Sequence, residues 1–118
     1  MAKAMLLAWS SAAGADQEDE YNRWYSQVHI PQLRQAMPCI RGVHRYRVAE
    51  IGPEATGGRP RYLTAYELDT DDVRTAAAEL AAASAAGRFD PTQAMDVTTS
   101  PPVLQWLESF DVLTNTEL

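Results

Sequence analysis

The sequence has few of the residues that mark several classes of protein. Its 118 residues include one cysteine, Cys39, so an intrachain disulfide is excluded and a reducing, cytoplasmic setting is expected. Apolar runs stay far below the ~20 residues that span a bilayer. Ten lysines and arginines stand against sixteen acidic residues, giving a net charge of −6 with no basic tract. We therefore expect neither a membrane nor a nucleic acid as a partner.

Signatures of metal and cofactor sites are also missing. The two histidines, His29 and His44, and the single cysteine lack the close spacing of a metal site. Haem bound through either histidine has no further support in the sequence. Neither a G-x-G-x-x-G motif nor a P-loop occurs, which disfavours a nucleotide. The sequence thus predicts a protein that works without a metal or a cofactor.

The first half of the chain predicts a strand, a helix and a second strand. Residues 3–10 are apolar on both alternating faces, as in a strand buried on both sides, and are not expected to be a signal peptide. A helix is expected from about Gln17 to Ala36, distorted just after His29 because Pro31 lacks a backbone N–H. "VHRYRVAEI" alternates as a strand, and the glycine- and proline-rich stretch 52–60 is expected to be a mobile loop.

The second half predicts a strand, a helix and a last strand. "RYLTAYEL" alternates as a strand and leads into an alanine-rich helix, capped by Asp69 or Thr70 and stopped by Gly87. "VLQWLESFDVL", residues 103–113, predicts a final strand with a possible bulge. The order β-α-β-β-α-β is that of an α+β, ferredoxin-like domain covering residues 1–118, an antiparallel sheet with two helices on one face.

Two helices leave the other face of such a sheet uncovered. The first strand is apolar on both sides, so the uncovered face is expected to need a partner. A second copy related by a two-fold axis is the simplest partner. We therefore expect a homodimer in which the two sheets pack together or close into a barrel.

The stretch "EDEYNRWYSQVHIPQLRQAMPCIRGVHRYRV" resembles the dimeric α+β barrel superfamily, and within it the EthD-like group of small proteins. The resemblance implies the same fold and a dimer. It does not imply one activity, because the superfamily includes cyclases, isomerases, cofactor-free monooxygenases, haem enzymes and members without known activity. The matching positions are Tyr21, Trp24, Tyr25, His29-Ile30-Pro31, Pro38, Arg45 and Tyr46.

His29 is the main catalytic candidate. Imidazole is the side chain whose ordinary pKa lies near neutrality, which suits a general acid or base. Flanking by Trp24 and Tyr25 is expected to exclude water, to lower the pKa of His29, and to let a tyrosine orient the ring through a hydrogen bond. The alternative is a structural histidine at a helix end, bonded to a backbone carbonyl beside Pro31.

A second candidate is the pair His44 and Tyr46 on one face of a strand. If the pair faces a cavity, it can hold a phenolate or an enolate. If it faces a partner, it fills a dimer core. Arg45, which alternates with this pair, is expected on the surface or toward the helices.

The remaining aromatic residues are candidates for substrate binding. Trp9 and Trp24 are either core residues or flat walls for an aromatic molecule. The hydroxyls of Tyr25, Tyr62 and Tyr66 can donate to an oxyanion. Tyrosines in strands are also what β-propensity alone produces, so both interpretations stay open.

These residues favour a cofactor-independent enzyme that moves a proton on a small apolar, aromatic, polyketide-like or lactone molecule. Cyclisation, dehydration, isomerisation and decarboxylation share an enolate or phenolate step, and the sequence does not choose among them. One alternative is a cofactor-free monooxygenase of the same fold. The other is a non-catalytic, EthD-like protein that binds a ligand.

Overall fold

One antiparallel sheet organises the residues that the computed structural model describes, 3–52 and 60–111. Its spatial order is β2-β3-β1-β4. One helix follows β1, the second follows β3, and both pack on the same sheet face. The predicted α+β, ferredoxin-like order is confirmed. The strands are β1 (Ala4–Ser11), β2 (Ile40–Arg47), β3 (Arg61–Leu68) and β4 (Val103–Glu108).

The first helix is a composite of consecutive segments. A 3-10 turn leads into it, and a π-helical turn interrupts it between α1 and α2, where the Ile30 N–H donates to the Tyr25 carbonyl five residues back. Its extent agrees with the predicted helix from Gln17 to Ala36. The segments are Ala15–Gln17 (3-10), α1 (Glu18–Trp24), Tyr25–His29 (π) and α2 (Ile30–Ala36).

Pro31 accounts for the π-helical turn. A proline inside a regular helix removes one hydrogen bond and pushes its ring against the preceding turn. The helix accommodates Pro31 by widening the turn before it, which places the distortion at Tyr25–His29. The expected position, just after His29, is therefore wrong by one turn. Single π-helical turns are frequent at functional sites, and this one contains His29.

The second helix, α3 (Val73–Ala85), has a different cap from the expected one. Its N-cap is Asp72, whose carboxylate accepts from the Arg74 N–H at 3.0 Å. The prediction of Asp69 or Thr70 was wrong because three acids and a threonine precede the helix, and only the geometry of the turn selects among them. Gly87 ends the helix region as predicted, with a φ of 70° that favours glycine.

The C-terminal strand is shorter than predicted. β4 ends at Glu108, and its register with β1 shows no bulge. Residues 112–118 lie outside the described residues, as do 53–59, so the expected mobile loop is untested. Within residues 3–52 and 60–111, no helix combines the length and the apolar character needed to cross a bilayer.

The two faces of the sheet differ in what covers them. On the helix side, Leu6 is paired with Tyr66 and Trp106 on its two neighbouring strands, and Leu6 and Tyr66 are fully buried. On the open side, a line of large side chains crosses all four strands and remains partly or largely exposed within the protomer. We call this line the open-face stripe: Tyr46, Leu63, Trp9 and Val103.

Candidate functional site

The π-helical turn brings His29 against two aromatic rings of the same helix. The imidazole stacks on the Trp24 indole, with centroids 4.5 Å apart and planes inclined by 17°. Tyr25 meets it edge to face at 5.1 Å. Phe89, from the segment after α3, closes another side at 6.0 Å. The expected flanking of His29 by Trp24 and Tyr25 is thus observed.

His29 is partly buried, and this desolvation keeps the imidazole neutral. Desolvation lowers its pKa from 6.5 to about 4, since the charged imidazolium loses more hydration than the neutral ring. Its buried Nδ1 has no hydrogen-bond partner within the described structure. At Nδ1, therefore, neither the expected orienting bond from a tyrosine nor the backbone bond of the structural alternative is formed. Ring packing holds the imidazole in place.

His29 lines an apolar groove between α2, α3 and β4. The groove has a volume of about 410 Å³ and opens to solvent. Its walls include Leu80 from α3 and Trp106 from β4, and His29 is the one titratable group among the described lining residues. The full lining is His29, Leu33, Ala77, Leu80, Ala81, Ser84, Phe89, Leu104 and Trp106.

The irregular segment after α3 is fastened to the first helix. The Trp24 indole N–H donates to the Asp90 carbonyl at 2.8 Å. Gln32 pairs with Asp90 twice, donating to its carboxylate at 3.0 Å and accepting from its backbone N–H at 2.9 Å. These bonds fix the chain next to Phe89 and so set the ring against His29.

A second cluster lies on the other side of Tyr25, between the first helix and the sheet. The Arg45 guanidinium sits over three tyrosine rings, with its Cζ 5.6 Å from the Tyr21 centroid, 4.4 Å from Tyr25 and 5.2 Å from Tyr62. Such contacts stabilise a cation through the ring quadrupole. Arg45 is therefore on the helix side of the sheet, one of the two positions expected from its alternation.

Burial keeps two phenols beside Arg45, those of Tyr21 and Tyr66, protonated. Burial raises the pKa of Tyr66 far above its usual range, and burial also raises the pKa of Tyr21. The Tyr21 hydroxyl bonds the Ser10 hydroxyl at 2.5 Å. A phenol that stays protonated at neutral pH can donate a hydrogen bond to an incoming oxygen.

The predicted site residues divide into two groups. His29, Trp24 and Tyr25 are brought together, and Tyr62 and Tyr66 join them through the Arg45 cluster. The others lie across the sheet on the open face, because alternate residues of a strand point to opposite faces. This second group is His44, Tyr46 and Trp9.

His44 is half-exposed on the open face. Its Nε2 lies 3.6 Å from the Glu67 carboxylate, which is similarly exposed. Trp9 was expected in the core or in a cavity wall, but within the protomer it is only partly buried on the open-face stripe. Among the described residues, no three His, Cys, Asp or Glu side chains converge as metal ligands would.

Comparison with known proteins shows the fold. A NIPSNAP family protein from Agrobacterium tumefaciens superposes with a TM-score of 0.58 at 13% identity, covering 97% of this chain and 95% of that one. An EthD family protein from Bacillus halodurans matches with a TM-score of 0.44 at 16% identity, over 93% of this chain and 100% of that one. No protein-family model and no curated protein sequence matches significantly.

The first likeness confirms the ferredoxin-like fold. The second likeness is too loose to support a conclusion. At these identities the activity of this chain rests on its own residues.

Burial of His29 links stability to pH. The ordinary pKa of 6.5 applies to the unfolded chain, against about 4 in the folded protein. Between these values the unfolded state binds a proton that the folded state does not, so the free energy of unfolding falls as the pH drops. The titration of His29 alone should lower the free energy of unfolding by about 3 kcal/mol between pH 7 and pH 4.

Urea unfolding at a series of pH values measures that slope. His29→Asn removes the titrating group. Between pH 7 and pH 4 the free energy of unfolding of the variant should therefore fall by about 3 kcal/mol less than that of the wild type. If the free energies of unfolding of the wild type and the variant fell equally with pH, His29 would not be a desolvated, neutral imidazole in the folded protein.

Proposed function

We propose that the protein is a cofactor-independent enzyme that moves a proton on a small apolar or aromatic molecule, with His29 as the base. The observation that carries the proposal is a neutral imidazole as the one titratable group on the described wall of an apolar groove. The groove takes the flat body of the ligand, and Trp106 and Phe89 supply aromatic walls.

The low pKa of His29 defines the step that it can perform. A base with a pKa of about 4 is weak toward an isolated carbon acid. As the proton moves, however, an enolate or phenolate forms beside the imidazolium, and opposite charges stabilise each other once the ligand has displaced water from the groove. The pKa of His29 therefore rises during the transfer, and the charge pair persists only along the reaction path.

A non-catalytic binding protein is the second candidate function, and the groove itself favours it. Among the described lining residues, Ser84 is the one hydroxyl, while the hydroxyl-bearing Tyr25, Tyr62 and Tyr66 belong to the neighbouring cluster. An enolate in the groove would have one donor, against the paired donors of typical oxyanion sites. A cofactor-free monooxygenase would use the same base and groove and would differ by consuming oxygen.

Deuterium exchange tests the shared proton-transfer step without knowledge of the final product. A panel of aromatic ketones, polyketide-like diketones and lactones is incubated with the protein in D2O, and mass spectrometry follows deuterium entering next to the carbonyl. Catalysed exchange supports the proposal. Consumption of oxygen by the protein in the presence of the same compounds would favour the monooxygenase. Binding of a compound without deuterium exchange would favour the binding protein.

We propose that the working form is a homodimer joined through the open-face stripe, in the cytoplasm, where Cys39 stays reduced. Tyr46 and Val103, at the two ends of the stripe on the edge strands β2 and β4, are 53% and 49% exposed, which is high for large apolar residues. A second copy placed sheet to sheet would bury both.

Light scattering after gel filtration should give twice the 13.0 kDa mass of one chain. Trp9→Glu puts a charge in the middle of the stripe and should produce a monomer. Gln35→Glu makes the same charge change at an exposed site on α2 and should leave the dimer intact. A wild-type protein that elutes as a monomer at micromolar concentration would rule the dimer out.

A further inference from the structure

The Arg45 guanidinium has an edge without a partner. Its Nη1 donates to the Asn22 side-chain oxygen at 2.9 Å. The other two nitrogens, Nε and Nη2, are buried and make no hydrogen bond within the described structure. The ion pairs found in this part of the chain do not include Arg45. A guanidinium with two buried, unpaired N–H donors and no ion pair among the described residues is an unusual arrangement, since each feature opposes folding.

The identity of the free atoms indicates the missing partner. Nε and Nη2 share one edge of the planar guanidinium, and their N–H bonds run nearly parallel. That edge matches the two oxygens of a carboxylate, which accept both bonds at once. An isolated enolate oxygen or a neutral carbonyl would use only one of the two donors.

A third free donor belongs to the same cluster. Tyr66 is 0% exposed, and its hydroxyl has no hydrogen-bond partner among the described residues. Arg45 and Tyr25 both lie close enough to act on the pKa of this phenol. Buried, unpaired donors of this kind are costly for an empty site but suit a bound oxyanion.

We propose that Arg45 and Tyr66 form an internal site for the carboxylate of an aromatic acid. The inference rests on the proposed function and deepens it by naming the substrate class. Tyr25 connects the two places, because its ring contacts both His29 and the guanidinium. A carboxylate held at Arg45 would anchor a molecule whose reacting carbon lies toward His29.

Entry of the ligand requires one ring to move. The free edge of Arg45 is sealed from solvent, since its Nε and Nη2 are buried. Tyr21 and Tyr25 are buried, whereas Tyr62 is only half-buried and stands at the sheet end of the cluster. The Tyr62 side chain is therefore the one that rotates to admit the ligand. The faces of the tyrosine rings then pack on the aromatic ring of the bound acid.

Binding of benzoate, compared with its neutral analogue benzamide, tests the site directly by calorimetry or NMR titration. The wild type should prefer benzoate by about tenfold or more, as expected for a charge-assisted bidentate contact. Arg45→Met removes the paired donors at similar length and should abolish the preference. Arg47→Met makes the same charge change at the next position on the same strand face and should retain it.

Two further variants cover the case in which Arg45→Met does not fold. Arg45→Lys keeps the charge but not the paired edge, and should lose most of the preference. Tyr66→Phe deletes an unpaired buried hydroxyl, so its melting temperature should be unchanged or higher while benzoate binding weakens several-fold. An unchanged melting temperature together with weaker benzoate binding would show that the Tyr66 hydroxyl contacts the ligand and does not stabilise the fold.

Equal binding of benzoate and benzamide by the wild type, or an unchanged preference in Arg45→Lys and Tyr66→Phe, would overturn the carboxylate site and leave Arg45 as a structural cation. That failure is distinct from failure of the proposed function. Deuterium exchange into neutral ketones depends on His29 and not on Arg45, so it would still be observed if the carboxylate site were absent.

Discussion

Replacing His29 with asparagine should reduce catalysed proton exchange by ~10²–10⁴-fold, the usual effect of losing a general acid–base group. Asparagine keeps a short polar side chain in the position of the ring but cannot take up a proton. The aromatic contacts of Trp24 and Tyr25 with the core do not depend on the imidazole, so the fold should survive. The measurement is the exchange rate in D2O with a thermal melt of each variant.

His44→Asn is the matched control, since it makes the same change at the other histidine. His44 lies on the opposite sheet face, so its loss should leave exchange near the wild-type rate. Near-normal exchange in His29→Asn with a large loss in His44→Asn would move the active site to the open face. Normal exchange in both variants would remove histidine from the mechanism.

Trp24→Ala should lower the free energy of unfolding by ~3–5 kcal/mol, the range for truncating a buried aromatic residue. Trp24 is 6% exposed, stacks on His29, and donates to the Asp90 carbonyl. Truncation leaves a cavity at the π-helical turn and an unpaired carbonyl in the segment that carries Phe89. The loss should also expose His29 to water and raise its pKa toward the ordinary value.

Trp24→Phe separates the two contributions of the indole. Phenylalanine keeps a stacking ring and removes only the N–H, so about 1 kcal/mol should be lost. Urea unfolding of the three proteins at pH 7 gives the differences. If Trp24→Ala is as stable as the wild type, the residue is not the support of His29 that its contacts indicate.

The sequence predicted the fold well because the fold follows from local patterns. Period-two alternation placed Arg45 opposite His44, and the proline at position 31 indicated a distorted helix. The type of distortion was not predictable, since a π-helical turn depends on which carbonyl the Ile30 N–H reaches. The N-cap of α3 was missed for a similar reason, because Asp69, Thr70 and Asp72 offer similar chemistry.

The candidate site was only partly predictable. The motif brought Trp24, Tyr25 and His29 together because they share one helix. Phe89 could not be found, since its segment has no periodic pattern and is positioned by long-range bonds between Gln32 and Asp90. The unpaired edge of Arg45 also has no signal in the sequence, because it depends on what lies around a side chain in three dimensions.

The most direct test of the account is the pKa of His29, measured by NMR titration of the imidazole C–H signals. The chain has two histidines, so the spectrum of His29→Asn assigns the signals. A buried, neutral imidazole beside Trp24 should titrate near pH 4, as expected from its desolvation. A pKa close to the ordinary 6.5 would mean that His29 is well hydrated, and would contradict its role as the neutral base of the groove.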